Sequence, residues 1–290
     1  MKLLHFKKFN EVGIGLLTKK GILDIKSAGE EFKEEFPDDL DDLIKNVKLL
    51  EKIKELEEKV SNYSSLYLRE EDLEFLPVIL NPEKIICVGA NYLKHAIEGD
   101  FEIAKHPVLF NKYNNALAAH NQEIEIPKGS KEIDYEGELV IVIGKEGKDI
   151  EERDGLDYVF GYSIGNDLTD RELQRRSTQW MLGKSLDKFG PIGPYVVTRE
   201  EIDPSKLKIE TRVNGELRQS STTEDMIFNC ETIVSYISKY ITLKPGDLIF
   251  TGTPEGVILG YPKEKQIWLK PGDKIEVTIE KIGTLINTLK

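Results

Sequence analysis

Apolar residues Leu40, Leu43, Ile44, Val47, Leu50, Ile53, Leu56 and Val60 recur mainly at steps of three or four through a stretch otherwise rich in Glu, Asp and Lys. On a helix such positions form one stripe. The pattern therefore predicts a single amphipathic helix running from Leu40, with its charges facing water. The acidic run PDDLDD sits at its start, where the helix dipole favours negative charge. Ahead of it, residues 1–26 predict short strands broken at Gly13 and Gly21. The stretch LPVILNPEK (76–84) reads as a junction, because Pro77 and Pro82 interrupt regular structure.

Past the junction the texture changes to short β runs punctuated by Gly and Pro. KIICVGA, ELVIVIG, YVFGYSIGND, GPYVVT, LKIETRVNGELRQSS, DLIFTGT and KIEVTIEKIGTLIN are the clearest. Asn214-Gly215 between β-rich flanks predicts a two-residue hairpin. LKPGD occurs at 243–247 and again at 269–273, each Pro-Gly supplying a type II turn before a strand. Helices interrupt at about 225–240 and, briefly, after Asp167 through TDRELQRRS. The fold class expected is α+β, mainly β, with a small N-terminal α+β domain over 1–78 and a β-rich catalytic domain over 79–290.

The chain of 290 residues is long enough for a sizeable core, and at 39% hydrophobic and 32% charged it reads as neither disordered nor membranous. A net charge of −12 argues against nucleic acid as a partner. No apolar run approaches the roughly 18–20 residues of a membrane-spanning helix, and the N-terminus lacks the pattern of a signal peptide. The two cysteines, Cys87 and Cys230, lie far apart, so a reduced, cytoplasmic setting is expected.

Candidate chemistry gathers at DYEGELVIVIGK (134–145). In a strand, Glu136 and Glu138 share a face, which Val140 and Val142 continue, while Leu139, Ile141 and Ile143 line the other. A strand apolar on both faces is buried on both. Two carboxylates at its mouth then call for neutralisation, and a hard divalent cation would supply it. A solvated strand end with the glutamates meeting Lys or Arg would explain the same residues. GYSIGNDLTDRELQ (161–174) is a second apolar strand ending in a carboxylate, Asp167, which is either a third ligand or the N-cap of the following helix. In NYLKHAIEGD, His95 and Glu98 stand one helical turn apart. They form either a proton-moving pair or an ordinary surface pair. Lys184, in a turn-like setting, would suit a substrate carboxylate or oxyanion, or is one lysine among many. TGTP at 251–254 would suit a small anion, or is a tight turn.

Taken in order, NYLKHAIE, PVLFNKYNNAL, DYEGELVIVIG, GYSIGNDLTDRELQ, QWMLGKSLDKFGPIGP, VNGELRQSSTTEDMIF and LKPGDLIFTGTPEGV resemble the fumarylacetoacetate hydrolase family over residues 82–290. Within it, QWMLGKS and GYPKEKQIWLKPGD are similar to the bacterial subgroup called 2-hydroxyhepta-2,4-diene-1,7-dioate isomerase, or domain-2-like proteins. The resemblance implies a mixed β-sandwich roll and a divalent metal, usually Mg²⁺, with Mn²⁺ or Ca²⁺ as alternatives, on Glu136, Glu138 and Asp167. It implies a His95–Glu98 dyad, a cationic Lys184, and substrate contacts from Tyr92, Arg171, Gln174 and Thr253. LDKF after GKS departs from the Asp-Thr-Phe of many relatives, which bears on pocket shape. The expected reaction is hydrolysis of a C–C bond in an acylpyruvate-type 2,4-dioxo acid through an enolate stabilised by the metal. The alternative is isomerisation, tautomerisation or decarboxylation of a 2-oxo dicarboxylic acid at the same site. A small-molecule substrate, no membrane partner, and a homodimer or larger homo-oligomer complete the expectation. Specificity is expected in a lid near Gly99–His106 and in the loops after Thr253.

Overall fold

The computed structural model describes residues 1–9, 11–99 and 102–290. Among the described residues, two large β-sheets and a two-stranded ribbon, Ile133–Asp134 with Thr169–Asp170, organise the chain, with seven α-helices set around them. The fold is α+β and mainly β. The larger sheet has 12 strands. Its main path runs Tyr67–Leu68, Gly21–Asp24, Glu11–Thr18, Lys2–Lys8, Gly190–Thr198, Val159–Asn166, Gly137–Ile143, Leu248–Phe250, Ile85–Gly89 and Val108–Lys112. The smaller has five, in the order Glu216–Thr222, Lys208–Val213, Lys274–Ile279, Gly283–Leu289 and Glu123–Ile124. The N-terminal strands share a sheet with the rest of the chain, because Lys2–Lys8 pairs antiparallel with Gly190–Thr198.

Gly137–Ile143 lies near the middle of the larger sheet and is buried at every position. Leu139, Ile141 and Ile143 join the core shared with the smaller sheet. Val140 and Val142 join the core that includes Leu3, Ile14, Leu40 and Ile53 from the N-terminal segment. The alternation read from the sequence thus sorts one strand between two cores. The Asn214-Gly215 hairpin is also present, joining Lys208–Val213 to Glu216–Thr222.

The helices are α1 (Ile25–Phe32), α2 (Leu40–Lys45), α3 (Leu49–Lys59), α4 (Leu93–Glu98), α5 (Arg171–Arg175), α6 (Met181–Lys184) and α7 (Cys230–Ser238). The stripe from Leu40 is therefore two helices rather than one. Asn46 leaves helical geometry at φ −132° and ψ 70°, and Val47 is exposed. Leu43 and Ile44 before the break, and Ile53 and Leu56 after it, still bury in the same core. Periodicity records which face is buried, not whether the backbone is continuous. Gly13 does not break a strand but lies inside Glu11–Thr18, opposite Phe6, and the strand before it ends at Lys8. The helix expected over 225–240 is confined to α7, capped by Asn229, whose side chain accepts from the Thr232 N–H. No helix among the described residues is long and apolar enough to cross a membrane.

Candidate active site and metal centre

Register brings the acidic residues together. Gly137 stands opposite Asn166 and Glu138 opposite Gly165, so the start of one strand abuts the end of the next. The Asp167 N–H donates to the Glu136 carbonyl at 2.8 Å, and the Glu136 N–H to the Asn166 side chain at 3.0 Å. Glu136 and Glu138 share a face. One carboxylate oxygen from each of Glu136, Glu138 and Asp167 lies within 4.8 Å of the others, and all three residues are buried. Gly137, between the glutamates, faces the smaller sheet so closely that an added Cβ would stand 2.3 Å from Thr211 Oγ1. Helix α5 takes its cap from Asp170, whose carboxylate accepts the Leu173 N–H. Asp167 is thereby left to the cluster.

A third strand, Leu248–Phe250, pairs with Gly137–Ile143 and delivers the TGTP turn. Gly252, at φ +98°, donates its N–H to Glu138 Oε2 at 2.8 Å. That backbone conformation favours glycine. Thr253 Oγ1 donates to the Gly137 carbonyl and accepts from Gln219, so its hydroxyl ties the turn to the strand.

Cations stand against two of the three carboxylates. The Lys184 ammonium is 2.5 Å from Glu136 Oε2 and 2.8 Å from Asp167 Oδ2. Lys112 reaches Asp167 Oδ1 at 2.5 Å and donates to the backbone carbonyls of Leu168, Lys184 and Phe189. Arg171 bridges Glu136 at 2.7 Å and Asp134 at 2.8 Å. Burial would raise the Glu136 carboxyl, but Lys184 and Arg171 overcome it and hold the group at about 2. Burial opposes the Lys184 charge, yet Asp167 and Glu136 outweigh it and raise the ammonium above its ordinary value.

Glu138 is in a different position. Among the described residues its hydrogen-bond partner is the Gly252 N–H, and no cation pairs with it. Burial, then the charges of Asp167 and Glu136, push its carboxyl well above the usual range. Around the centre, four buried carboxylates (Asp134, Glu136, Glu138, Asp167) face three buried cations (Lys112, Arg171, Lys184), so full ionisation would leave one negative charge unmatched, and the raised Glu138 carboxyl is where that imbalance falls. Three converging carboxylates, one of them without a countercharge, fit a hard divalent cation.

His95, on α4, places Nδ1 3.6 Å from Glu98 Oε2, and both Glu98 oxygens accept the Gly256 N–H. His95, Glu136, Glu138, Arg171, Gln174, Lys184 and Thr253 line one cavity of about 280 Å³. Phe110, Trp180 and Leu259 form its apolar wall. Tyr92, Glu98 and Asp167 are not on that wall. Tyr92 is fully buried, and burial, with the Glu138 charge adding, raises its phenol well above its ordinary value. Leu259 is the contribution of the loops after Thr253. Asp100 and Phe101 of the expected lid lie outside the described residues. A larger cleft of about 800 Å³, around Met1, Lys20 and Tyr67, lies apart from the triad; the smaller cavity is the one walled by the acidic cluster.

Sequence reasoning missed four residues that frame the site. Asp134 holds Arg171 and the N–H groups of Ile258 and Leu259. Its signal was present, since Asp134, Glu136 and Glu138 alternate at period two. Gln219 binds the Gly137 N–H and Thr253, Lys112 binds Asp167, and Arg175 lines the cavity; nothing local marks these three.

Residues 84–290 match the family model described as fumarylacetoacetate (FAA) hydrolase C-terminal. The chain is 40% identical over 289 residues to the fumarylacetoacetate hydrolase domain-containing protein 2 homolog of Dictyostelium discoideum, across 96% of this chain and 92% of that protein. It is 44% identical over 230 residues to the oxaloacetate tautomerase YisK of Bacillus subtilis (strain 168), across 78% and 76% of the two chains. Among solved structures, maleylpyruvate hydrolase of Sphingobium sp. SYK-6, in complex with manganese(II) ion and pyruvate, superposes with a TM-score of 0.79 at 27% identity, covering 100% of this chain and 98% of that one. With the acidic triad, the His95–Glu98 pair and the two-sheet fold in place, this chain belongs to the fumarylacetoacetate hydrolase family.

Proposed function

We propose that this enzyme interconverts the keto and enol forms of a 2-oxo acid, oxaloacetate foremost, with a divalent cation held by Glu136, Glu138 and Asp167. The observation that carries the reading is Glu138, a buried carboxylate without a countercharge on the wall of a cavity that also presents His95. A bound cation such as Mg²⁺ would supply Lewis-acid stabilisation of the oxygen anion created by enolisation, worth several kcal/mol. His95 takes the C3 proton, and the C–H electron pair becomes the C2–C3 double bond. The C2 oxygen gains the negative charge and then a proton, while His95 gives up the one it took and returns to neutral, so the net change is one proton moved from C3 to oxygen. Glu98, behind His95, orients the ring. Lys184 adds positive charge beside the developing anion. Phe110, Trp180 and Leu259 limit water at the reacting carbon.

Tautomerisation is preferred to C–C hydrolysis because relatives at 40–44% identity are named oxaloacetate tautomerases. Hydrolysis of an acylpyruvate is the second reading, favoured by the His95–Glu98 pair, which would equally activate a water. The two are separated by following enol-oxaloacetate spectroscopically and pyruvate release from acylpyruvates, both with Mg²⁺. Saturable, Mg²⁺-dependent interconversion of oxaloacetate is expected, falling by about 10²–10⁴-fold in His95→Ala. Pyruvate release with oxaloacetate interconverting only at its uncatalysed rate would establish the hydrolase instead.

A further inference from the structure

The cavity has a second end that the proton chemistry does not use. Helix α5 begins at Arg171, which Glu136 and Asp134 hold beside the triad, and ends at Arg175. Residues four apart share a helix face and lie about 6 Å apart along its axis. Gln174 accepts from Arg171 at 3.1 Å, and Arg171, Gln174 and Arg175 all line the cavity. The cations near the triad, Lys112, Lys184 and Arg171, are already engaged by its carboxylates. Arg175 is placed otherwise: its side chain is 50% exposed and pairs with Glu132, itself 28% exposed. Arg176, the next residue, pairs with Glu172 and forms no part of the cavity wall.

We infer that Arg175 binds a second, distal carboxylate of the substrate, so that the site selects 2-oxo dicarboxylic acids over 2-oxo acids with one carboxylate. The inference rests on the tautomerase reading and names how its substrate is chosen. A four-carbon 2-oxo dicarboxylate with its oxo end at the triad places its far carboxylate about one helical turn away, where Arg175 stands. The planar guanidinium fork matches a carboxylate two bonds at a time. In the free protein Glu132 pairs with one nitrogen of that fork, and the substrate carboxylate takes its place.

The test is calorimetric titration of oxaloacetate and of pyruvate, with Mg²⁺ present, into wild type, R175Q and R176Q, paired with steady-state kinetics. R175Q should weaken oxaloacetate binding by about 10- to 100-fold, the range for a lost charge-assisted contact. Its KM should rise by a similar factor with kcat nearly kept, its pyruvate affinity should hold within about twofold, and R176Q should match wild type. Equal weakening of both ligands in R175Q, or no change in either, overturns the inference. Tautomerisation of oxaloacetate with an unchanged KM in R175Q sinks Arg175 and leaves the reaction standing. An Arg175-dependent preference for oxaloacetate in a protein that does not tautomerise it sinks the reaction and leaves Arg175 standing.

Discussion

Glu138 and Lys184 divide the electrostatics of the centre between them. Glu138 has no cationic partner, whereas Lys184 serves two carboxylates at once. Replacing Lys184 with Met should therefore separate charge balance from catalysis. Two cations would face four carboxylates, so K184M should bind a dication at least as tightly as wild type. Its kcat/KM should fall by about 10²–10³-fold, the usual cost of one lost electrostatic contact to a transition state. Calorimetry and turnover on the same preparation check this; joint loss of metal binding and activity would make Lys184 a structural residue only. Away from the site, His120 is packed edge-on against Phe75, and its Nδ1 accepts the Ile286 N–H. Burial lowers this imidazole to about 4. Because the folded state holds it neutral, the unfolded chain binds the extra proton below about pH 6.5. Stability contributed here is full above that pH and is lost as the pH falls towards 4, by about 3 kcal/mol. Urea denaturation of wild type and H120Q across that window should show the variant losing correspondingly less.

At the scale of elements, the centre depends on two strand ends meeting in one register. Gly137 keeps that register by letting the strand approach Thr211. G137A should cost about 1–3 kcal/mol through overpacking and weaken dication binding, because it displaces the residue between the two glutamates. Adding T211A, which removes the nearest atom, should restore part of both losses, measured by denaturation and by metal titration. A fully additive double variant would show that the two positions do not meet. This arrangement was legible in part. Period two in DYEGELVIVIG assigned each side chain to its face, and Asn-Gly marked its hairpin, because both signals are local and have one backbone solution. The pairing of Glu136 with Asp167 followed only from two strands ending in carboxylates. Lys112 and Gln219 reach the centre from distant segments, and their neighbours in sequence say nothing of what they meet. The break at Asn46 escaped notice for another reason: α2 and α3 bury the same face, so the hydrophobic rhythm continues across a discontinuous backbone.

Across the whole molecule, the central strand is wedged between a core shared with the smaller sheet and a core shared with the N-terminal helices. Packing between them holds the strand that carries Glu138 and follows Glu136. A cation held by these residues would therefore stabilise the fold, and a protein of net charge −12 draws dications towards it. At a Mg²⁺ concentration of 100 times Kd, binding should add about 2.7 kcal/mol to stability. The melting temperature should rise on the order of 5 °C and fall back with a chelator. A chelator-insensitive melting curve would separate the fold from the ion. Calorimetric titration of Mn²⁺ into metal-stripped wild type and E138Q decides whether the triad holds a dication, because the substitution keeps an acceptor for the Gly252 N–H but removes the carboxylate that the ion would meet. One saturable site per chain is expected in wild type, with affinity reduced at least about 100-fold in E138Q. Equal binding by the two proteins, or none by wild type, would remove the ion from the triad.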